Sequence, residues 1–236
     1  MRKFSLLLSL LIIISSASFA QNKVTLPKRA ADHFMIQLNS DHWLGAPDSI
    51  SSHIKGLSRG ANVYLMLDKP FKGSPKLSIA LGVGVSTSNM YFKKMDVGIT
   101  SANPTLPFTN LDSSNSFKKY KLSTTYVEIP LEFRFMGKPQ TPNKSFKFAV
   151  GVKGGTLLKA QTKGKGLRNS SGDLLRNYTE KLSSKSFFNS TRISGTARIG
   201  YGIFSLNGSY AFTNLFKDGV APEVNTLQIG LTISGL

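Results

Sequence analysis

The feature that most constrains this sequence is a strict alternation of apolar and polar residues between Thr125 and Met136. The apolar positions are Val127, Ile129, Leu131, Phe133 and Phe135, and the charged residues Glu128, Glu132 and Arg134 fall between them. A period of two is typical of a β-strand with one apolar and one polar face. In a soluble sheet the apolar face packs in the core. In a transmembrane barrel that face meets lipid and the charges point into the lumen. The rest of the chain has to decide between these two folds.

The same alternation recurs along the chain. The predicted strands lie near residues 34–39, 57–67, 77–86, 125–136, 146–153, 192–201, 204–212 and 227–234. Eight is an even number and the smallest size of a bacterial transmembrane barrel. In the third strand the second face holds only Ser, Ala and Gly. Small inward residues would leave room in a narrow barrel for long side chains from opposite strands.

The connections between the predicted strands alternate in length. The long connections are Gly45–Gly56, Lys93–Lys119, Gln161–Lys185 and Leu215–Pro222, and the short ones are Asp68–Pro75, Gly137–Lys144 and a turn near Gly202. Outer-membrane barrels have short periplasmic turns and long extracellular loops. The sequence therefore predicts an all-β fold, an eight-stranded antiparallel up-and-down transmembrane β-barrel. Within the third long connection, Lys163-Gly164-Lys165-Gly166 is interpreted as a loop tip.

Residues 1–20 have the pattern of a secretory signal peptide. Arg2 and Lys3 precede an apolar run from Leu6 to Ile14, and Ser18-Phe19-Ala20 is a small-x-small cleavage site. The run is too short for a membrane-spanning helix, which needs about 20 residues. We expect cleavage after Ala20, which leaves 21–236 as one barrel domain in the outer membrane. The chain has no cysteine, so disulfides and thiolate metal sites are excluded.

The segment Tyr126-Val127-Glu128-Ile129-Pro130-Leu131 follows a long polar loop and precedes a short turn that contains proline. It resembles the signature of the PorT-like outer-membrane β-barrel family of Bacteroidetes, and the segments Ala80–Val85 and Gly151–Gly155 are similar too. The resemblance implies a small outer-membrane barrel. Because some relatives serve protein secretion or gliding, it also implies a role accessory to a secretion or envelope machinery. Pro130 cannot donate to the strand ladder, so we expect a local bulge or distortion there.

The lumen is the best-defined chemical environment that the sequence predicts. Seven charged residues fall on strand positions that are predicted to face inward: Glu128, Glu132, Arg134, Lys147, Lys153, Arg192 and Arg198. Side chains just fill the interior of an eight-stranded barrel, and buried unpaired charge is costly. We therefore expect Glu128 and Glu132 to pair with arginines such as Arg192 and Arg198 or with Arg134, and to plug the barrel. The alternative is a small pore for solutes.

The sequence predicts no catalytic, cofactor or metal site. Its histidines are His33, His42 and His53. A hydrolase needs a serine and a histidine in contact and a carboxylate that orients the histidine. Ser40, Asp41 and His42 are adjacent, but neighbours in a strand point to opposite faces. There is no Gly-x-Ser-x-Gly or His-Glu-x-x-His motif, so we expect a protein that is not an enzyme.

The formal net charge is +18. A nucleic-acid partner is disfavoured because the protein is expected to be exported. Two interpretations of the lysines stay open: solvated loops, or contact with an anionic surface such as the phosphates of lipopolysaccharide. We expect a structural or interaction protein that presents basic extracellular loops. Its expected partners are outer-membrane lipid and lipopolysaccharide, with other envelope proteins as further candidates. The alternatives are a small solute pore and a soluble lipocalin-like periplasmic barrel.

Overall fold

The computed structural model describes residues 34–235, and most of them lie in β-strands. The strands are β1 (Phe34–Leu44), β2 (Ser58–Phe71), β3 (Ser74–Phe92), β4 (Met95–Val97), β5 (Phe108–Asn110), β6 (Ser116–Met136), β7 (Phe146–Arg168), β8 (Leu174–Ser183), β9 (Thr191–Tyr201), β10 (Phe204–Ala211) and β11 (Asn225–Ser234). One α-helix, α1 (Asp48–Ser51), and one 3-10 turn (Pro142–Lys144) complete the described elements. In this part of the chain no helix has the length and apolarity to cross a membrane. The expected signal peptide and His33 lie outside the described residues.

Eight of these strands close into an antiparallel barrel. Their order around the barrel is β6-β3-β2-β1-β11-β10-β9-β7, and pairing of β7 with β6 closes the ring. The first strand pairs with the last, from Met35 opposite Ser234 to Leu44 opposite Asn225. Closure leaves no unpaired sheet edge within the barrel wall. The predicted eight-stranded antiparallel barrel is confirmed.

The connections alternate in length, as the sequence predicts. The short-turn end of the barrel holds both described chain ends and the connections 72–73, 137–145 and 202–203. The long-loop end holds the connections 45–57, 93–115, 169–190 and 212–224, which include α1 and the small strands β4, β5 and β8. The two ends of the barrel therefore differ, because the additional elements α1, β4, β5 and β8 all lie at the long-loop end.

Apolar side chains cover the outside of the barrel wall and polar side chains fill the inside. Leu131 is 43% exposed, whereas the adjacent Glu132 is 5% exposed. The outward row of each barrel strand is similarly apolar, and it includes Leu38, Leu65, Leu81, Ile129, Val152, Ile199, Leu206 and Leu231. An exposed apolar band that encircles a barrel belongs against lipid. Outward aromatic residues collect at the short-turn end, where ring side chains suit a membrane interface; they are Phe71, Phe133, Phe135, Phe146, Phe148, Tyr201 and Phe204.

The small inward residues make room for long side chains from the adjacent strand and also from across the barrel, as the sequence suggested: Ser86 of β3 receives Arg192 of β9. Gly84 lies directly across from Tyr64, and Gly155 lies directly across from Glu128. A Cβ atom on Gly155 would lie 2.6 Å from Cγ of Glu128. Directly paired residues are the closest neighbours on one face of a sheet. Tyr64 and Glu128 therefore each lie over a glycine on the next strand.

Pro130 distorts the wall locally, as expected, and does so through a gap in the pairing and not through a bulge. Pairing between β3 and β6 is interrupted opposite Pro130 and resumes in the same register, from Leu81 opposite Leu131 to Gly84 opposite Glu128. The missing N–H of proline explains the gap, since it cannot donate to the ladder. The register shift of β6 lies elsewhere, against β7, between Thr125 and Tyr126.

β6 and β7 continue beyond the barrel wall, and β8 pairs with the outer half of β7 to form a projecting sheet. The interpretation of Lys163-Gly164-Lys165-Gly166 as a loop tip is therefore wrong, because these residues lie within β7. The physical reason is packing: the Phe117 ring covers Gly164, and a Cβ atom there would lie 2.5 Å from it. Gly164 therefore serves a close approach of β6 and not a turn.

The direction of the side chains gives a direct test of the lipid-facing band. Leu131 is the central residue of the five outward apolar positions of β6. We expect Leu131→Arg to lower the free energy of unfolding by about 2–4 kcal/mol, the cost of a cation near the bilayer midplane. The measurement is urea unfolding of the protein in lipid vesicles. The control is Leu57→Arg, an exposed position at the long-loop end, which should change stability little. A Leu131→Arg protein that stays folded in water without detergent would contradict the membrane-facing assignment.

Candidate functional site

The lumen is organised around the carboxylate of Glu128, which is fully buried. Arg192 donates from Nη2 to its Oε1 at 2.6 Å and from Nε to the same oxygen at 3.1 Å. The Tyr64 hydroxyl donates to Oε2 at 2.5 Å, and Lys153 Nζ lies 3.3 Å from that oxygen. Both carboxylate oxygens therefore have charged or hydroxyl donors, which a buried charge requires. The donors come from β2, β7 and β9, which the pairing of neighbouring strands and the curvature of the sheet bring around Glu128.

A second cluster lies nearer the short-turn end, around Glu132. Arg134 Nε lies 2.8 Å from its Oε2, and Arg198 Nη2 lies 3.1 Å from the same oxygen. Arg198 also donates to Ser234 Oγ at 3.1 Å. Asp68 extends the cluster, because its Oδ1 lies 3.7 Å from Nη1 of Arg134. Lys147, the seventh residue that the sequence placed inside, is also buried.

Amide and hydroxyl side chains extend these clusters across the barrel. Arg192 donates to Ser86 Oγ at 2.9 Å, and Ser86 donates to Asn62 Oδ1 at 2.8 Å. Asn62 Nδ2 lies 3.4 Å from Gln228 Oε1, and Gln228 donates to Asp41 at 2.8 Å. The chain of hydrogen bonds thus runs from one wall of the barrel to the other.

Sequence reasoning did not identify Tyr64, Asp41 or Asp68 as members of these clusters. Tyr64 and Asp68 lie in β2 on the inward parity of Asn62 and Met66. Asp41 shares the inward face of β1 with Asn39. Their positions in the alternation along β1 and β2, which separates inward from outward residues, were the signal that could have identified them. What parity cannot supply is the height of each residue in the barrel, which depends on the register between strands.

An apolar cap closes the long-loop end of the lumen. Its buried residues come from all four long connections and the adjoining strand ends: Ile50, Met90, Phe92, Met95, Val97, Ile99, Leu106, Tyr120, Leu122, Tyr126, Leu157, Ala160, Phe187, Phe188, Leu215, Phe216 and Val224. Phe216 is central: its ring lies 5.3 Å from Phe188, 5.7 Å from Trp43 and 6.0 Å from Phe108. The long connections thus form a packed lid over this end of the barrel.

Polar contacts hold the cap connections to one another. Leu106 N donates to the Val220 carbonyl at 2.7 Å, and Asn189 Nδ2 donates to the carbonyls of Asn214 and Phe216, each at 2.8 Å. At the rim, Asp112 lies 3.6 Å from His53 and 3.8 Å from Lys94. A hydrogen bond with the Asn110 side chain, and then His53 and Lys94, lower the pKa of Asp112.

The two histidines of the described residues lie outside the lumen clusters. Ser40 Oγ and His42 Nε2 are 3.0 Å apart on the outer face of β1. Asp41, the adjacent carboxylate, points into the barrel and bonds to Gln228. The acid and the serine–histidine pair are therefore on opposite sides of the wall. Among residues 34–235 no group of three or more His, Asp or Glu side chains could hold a metal ion.

The sequence matches the protein family described as outer membrane protein beta-barrel domain over residues 19–217. The chain belongs to this family. A comparison with curated proteins finds no match. Among solved structures, the chain is similar to the attachment invasion locus protein Ail of Yersinia pestis in complex with the heparin analogue sucrose octasulfate, with 13% identity, a TM-score of 0.34, and coverage of 85% of this chain and 96% of Ail. For Ail alone the identity is 13%, the TM-score 0.33, and the coverage 85% and 95%.

Family membership and the direction of the side chains together exclude the lipocalin-like alternative. A soluble binding barrel has an apolar interior and a polar exterior. In this outer-membrane β-barrel the interior holds Glu128 and Arg192, and the exterior holds Leu131 and Ile129. The alternative of a soluble lipocalin-like periplasmic barrel is therefore excluded.

The Glu128 cluster predicts a large effect from a small change. Glu128→Gln keeps the volume but leaves Arg192 and Lys153 without a carboxylate, so we expect the free energy of unfolding to fall by about 3–5 kcal/mol. The measurement is urea unfolding in vesicles. Glu180→Gln removes the same charge from an exposed position of β8 and should shift stability by less than about 1 kcal/mol. Equal effects of the two substitutions would show that Glu128 is not buried and paired.

The cap predicts a second stability difference between two phenylalanines. Phe216→Ala removes the central ring of the cap, and we expect a loss of about 3–5 kcal/mol in the stability of the long connections. Phe212→Ala removes a ring that is 62% exposed and should leave the cap intact. Hydrogen exchange of residues 95–106 and 187–190 measures the difference. Unchanged protection of both segments in Phe216→Ala would contradict a packed lid.

Proposed function

We propose that this protein is exported, loses residues 1–20, and acts in the outer membrane as a non-enzymatic, non-conducting interaction protein. The observation that carries the proposal is the filling of the barrel: the Glu128 and Glu132 clusters occupy the lumen, and the apolar cap covers its mouth. With the interior occupied, the surfaces that can contact other molecules are on the outside, at the long-loop end. That end would face the cell exterior, as long loops do in barrels of this kind.

The charged residues of the lumen act in this proposal as a structural plug. Glu128 is 0% exposed, and Arg192 is 4% exposed. An ion would have to displace pairs that are packed between adjacent and opposite strands. Above them, the Tyr126 ring lies 3.9 Å from the Arg192 guanidinium and belongs to the apolar cap. The small-pore alternative would need both layers to move, and the contacts between them oppose such a movement.

The interaction surface consists of the cap and the projecting sheet of β6, β7 and β8. β8 is exposed along its whole length and bears Arg176 and Lys181. This sheet is continuous with the barrel wall, since β6 and β7 run from the wall into it. The resemblance to the PorT-like family supports an accessory role in a secretion or envelope machinery. In that role the protein would be an anchored scaffold and not the conduit.

Conductance separates a plugged scaffold from a pore. We expect the purified full-length protein to give no stepwise current in planar bilayers, because the Glu128 and Glu132 clusters and the cap block ion passage. Heat-modifiable gel mobility of the same sample shows that the barrel is inserted and folded. A known porin, reconstituted in parallel, provides the positive control. Discrete current steps that scale with the amount of folded protein would overturn the proposal in favour of the pore.

A further inference from the structure

Five lysines share one face of the projecting sheet, and we call them the lysine ladder: Lys119, Lys121, Lys163, Lys165 and Lys181. The register places Lys121 of β6 directly opposite Lys163 of β7, and Lys163 directly opposite Lys181 of β8. Two residues farther from the barrel wall, Lys119 of β6 is opposite Lys165 of β7. The ladder is therefore a set of cross-strand neighbours, although its members are far apart in sequence.

Such an arrangement is unfavourable without an anion. Like charges directly opposite each other across a sheet destabilise it. The ion pairs at the long-loop end of residues 34–235 are those of Asp112 with His53 and Lys94, and none includes a ladder lysine. Lys121 is held instead by a hydrogen bond of 2.6 Å to the Asn89 side chain. The positive charge of this face is thus left for a ligand outside the chain.

The direction of the ladder indicates where that ligand lies. On β6, Lys121 and Thr125 point to the same side of the strand as Val127 and Ile129. Val127 and Ile129 lie lower, in the lipid-facing band. The ladder therefore faces sideways, above the lipid-facing band, and not upward from the cap. On β7 the exposed Lys159 directly follows the exposed Leu158, which brings positive charge down to the edge of the apolar band.

The height of the ladder matches the polar part of a membrane lipid. Lys121 is six residues above Val127 on β6, which is about 20 Å along a strand and about 15 Å in height for a tilted barrel strand. The charges thus extend from the boundary of the hydrocarbon into the layer of headgroups and sugars. Tyr91, Lys119, Lys121, Lys163 and Lys165 line a shallow groove there, and lysine ammonium groups bind phosphate oxygens as point charges.

We propose that the lysine ladder binds the phosphate groups of the phosphorylated glycolipid in the outer leaflet, lipopolysaccharide. This inference rests on the proposed outward orientation of the long-loop end and specifies the ligand of the interaction surface. A bound glycolipid would neutralise the Lys121, Lys163 and Lys165 amines from the side. It would also fix the height of the projecting sheet relative to the membrane surface.

The test compares phosphorylated and dephosphorylated ligand on the full-length protein in detergent. The probes are deep-rough lipopolysaccharide, the same lipid after removal of its phosphates, and a soluble inorganic polyphosphate, each measured by native mass spectrometry. We expect the intact lipid to bind at least about tenfold more tightly than the dephosphorylated one, and Lys121→Gln/Lys163→Gln/Lys165→Gln to remove that preference. Added salt should weaken the preference, since the contacts are exposed charges.

A matched variant controls for net charge. Lys69→Gln/Lys72→Gln/Lys76→Gln removes three exposed lysines at the short-turn end and should keep the wild-type preference, with folding checked by heat-modifiable mobility. Equal binding of the dephosphorylated lipid, or equal loss in both triple variants, would overturn the proposal. Binding of polyphosphate as tight as that of the lipid would overturn the lipid as ligand. None of these results alters the conductance test, so the failure of this inference can be told apart from that of the proposed function.

Discussion

The structure depends on the burial of one carboxylate, Glu128, among donors from separate strands. A buried charge is tolerated only when its lone pairs are satisfied, and Arg192, Lys153 and Tyr64 satisfy those of Glu128. These partners lie on β9, β7 and β2, so they meet only when those strands pair in register with β3 and β6 and the sheet curves. The ion pairs therefore report the register of these strands, because a shift of one residue in any of them would turn its inward charges toward lipid.

The lumen and the cap act as consecutive layers of one filled interior. Tyr126 belongs to both, since its ring contacts the Arg192 guanidinium below and the apolar cap above. The lower layer is polar because its side chains pair and hydrogen-bond the charges that are buried inside the narrow barrel. The upper layer is apolar because four long connections bury their hydrophobic residues there instead of exposing them. A barrel that is filled in this way is suited to hold a surface in place, which is the role we propose for it.

The sequence was sufficient for the wall and insufficient for the cap. Alternation in β6 placed Glu128 and Leu131 on opposite faces, because a strand has a period of two regardless of its partners. The cap residues Met95, Val97 and Phe216 lie in different connections, and no local period links them to one another. Their spacing within segments, such as Met95-Asp96-Val97-Gly98-Ile99, was a weak sign of buried structure. Only tertiary contact between the connections turns these residues into a core.

The glycines of β7 were misleading for a physical reason. Gly164 and Gly166 among lysines are typical of a turn, yet Gly164 here accepts the Phe117 ring. A glycine in a strand can mark either a turn or a close approach, and the difference depends on a neighbour that sequence distance hides. The same neighbour relation produced the lysine ladder, whose members become adjacent only through the register of β6, β7 and β8.

The central claim is that Glu128 and Arg192 form a buried pair inside a closed barrel, and a double-mutant cycle tests it most directly. Glu128→Gln, Arg192→Gln and the double variant would be unfolded reversibly in vesicles. The account predicts a coupling free energy of about 2 kcal/mol or more, because either single substitution already breaks the buried contact between the two side chains. Additive effects within about 0.5 kcal/mol would show that the two side chains do not interact, and would contradict the filled lumen.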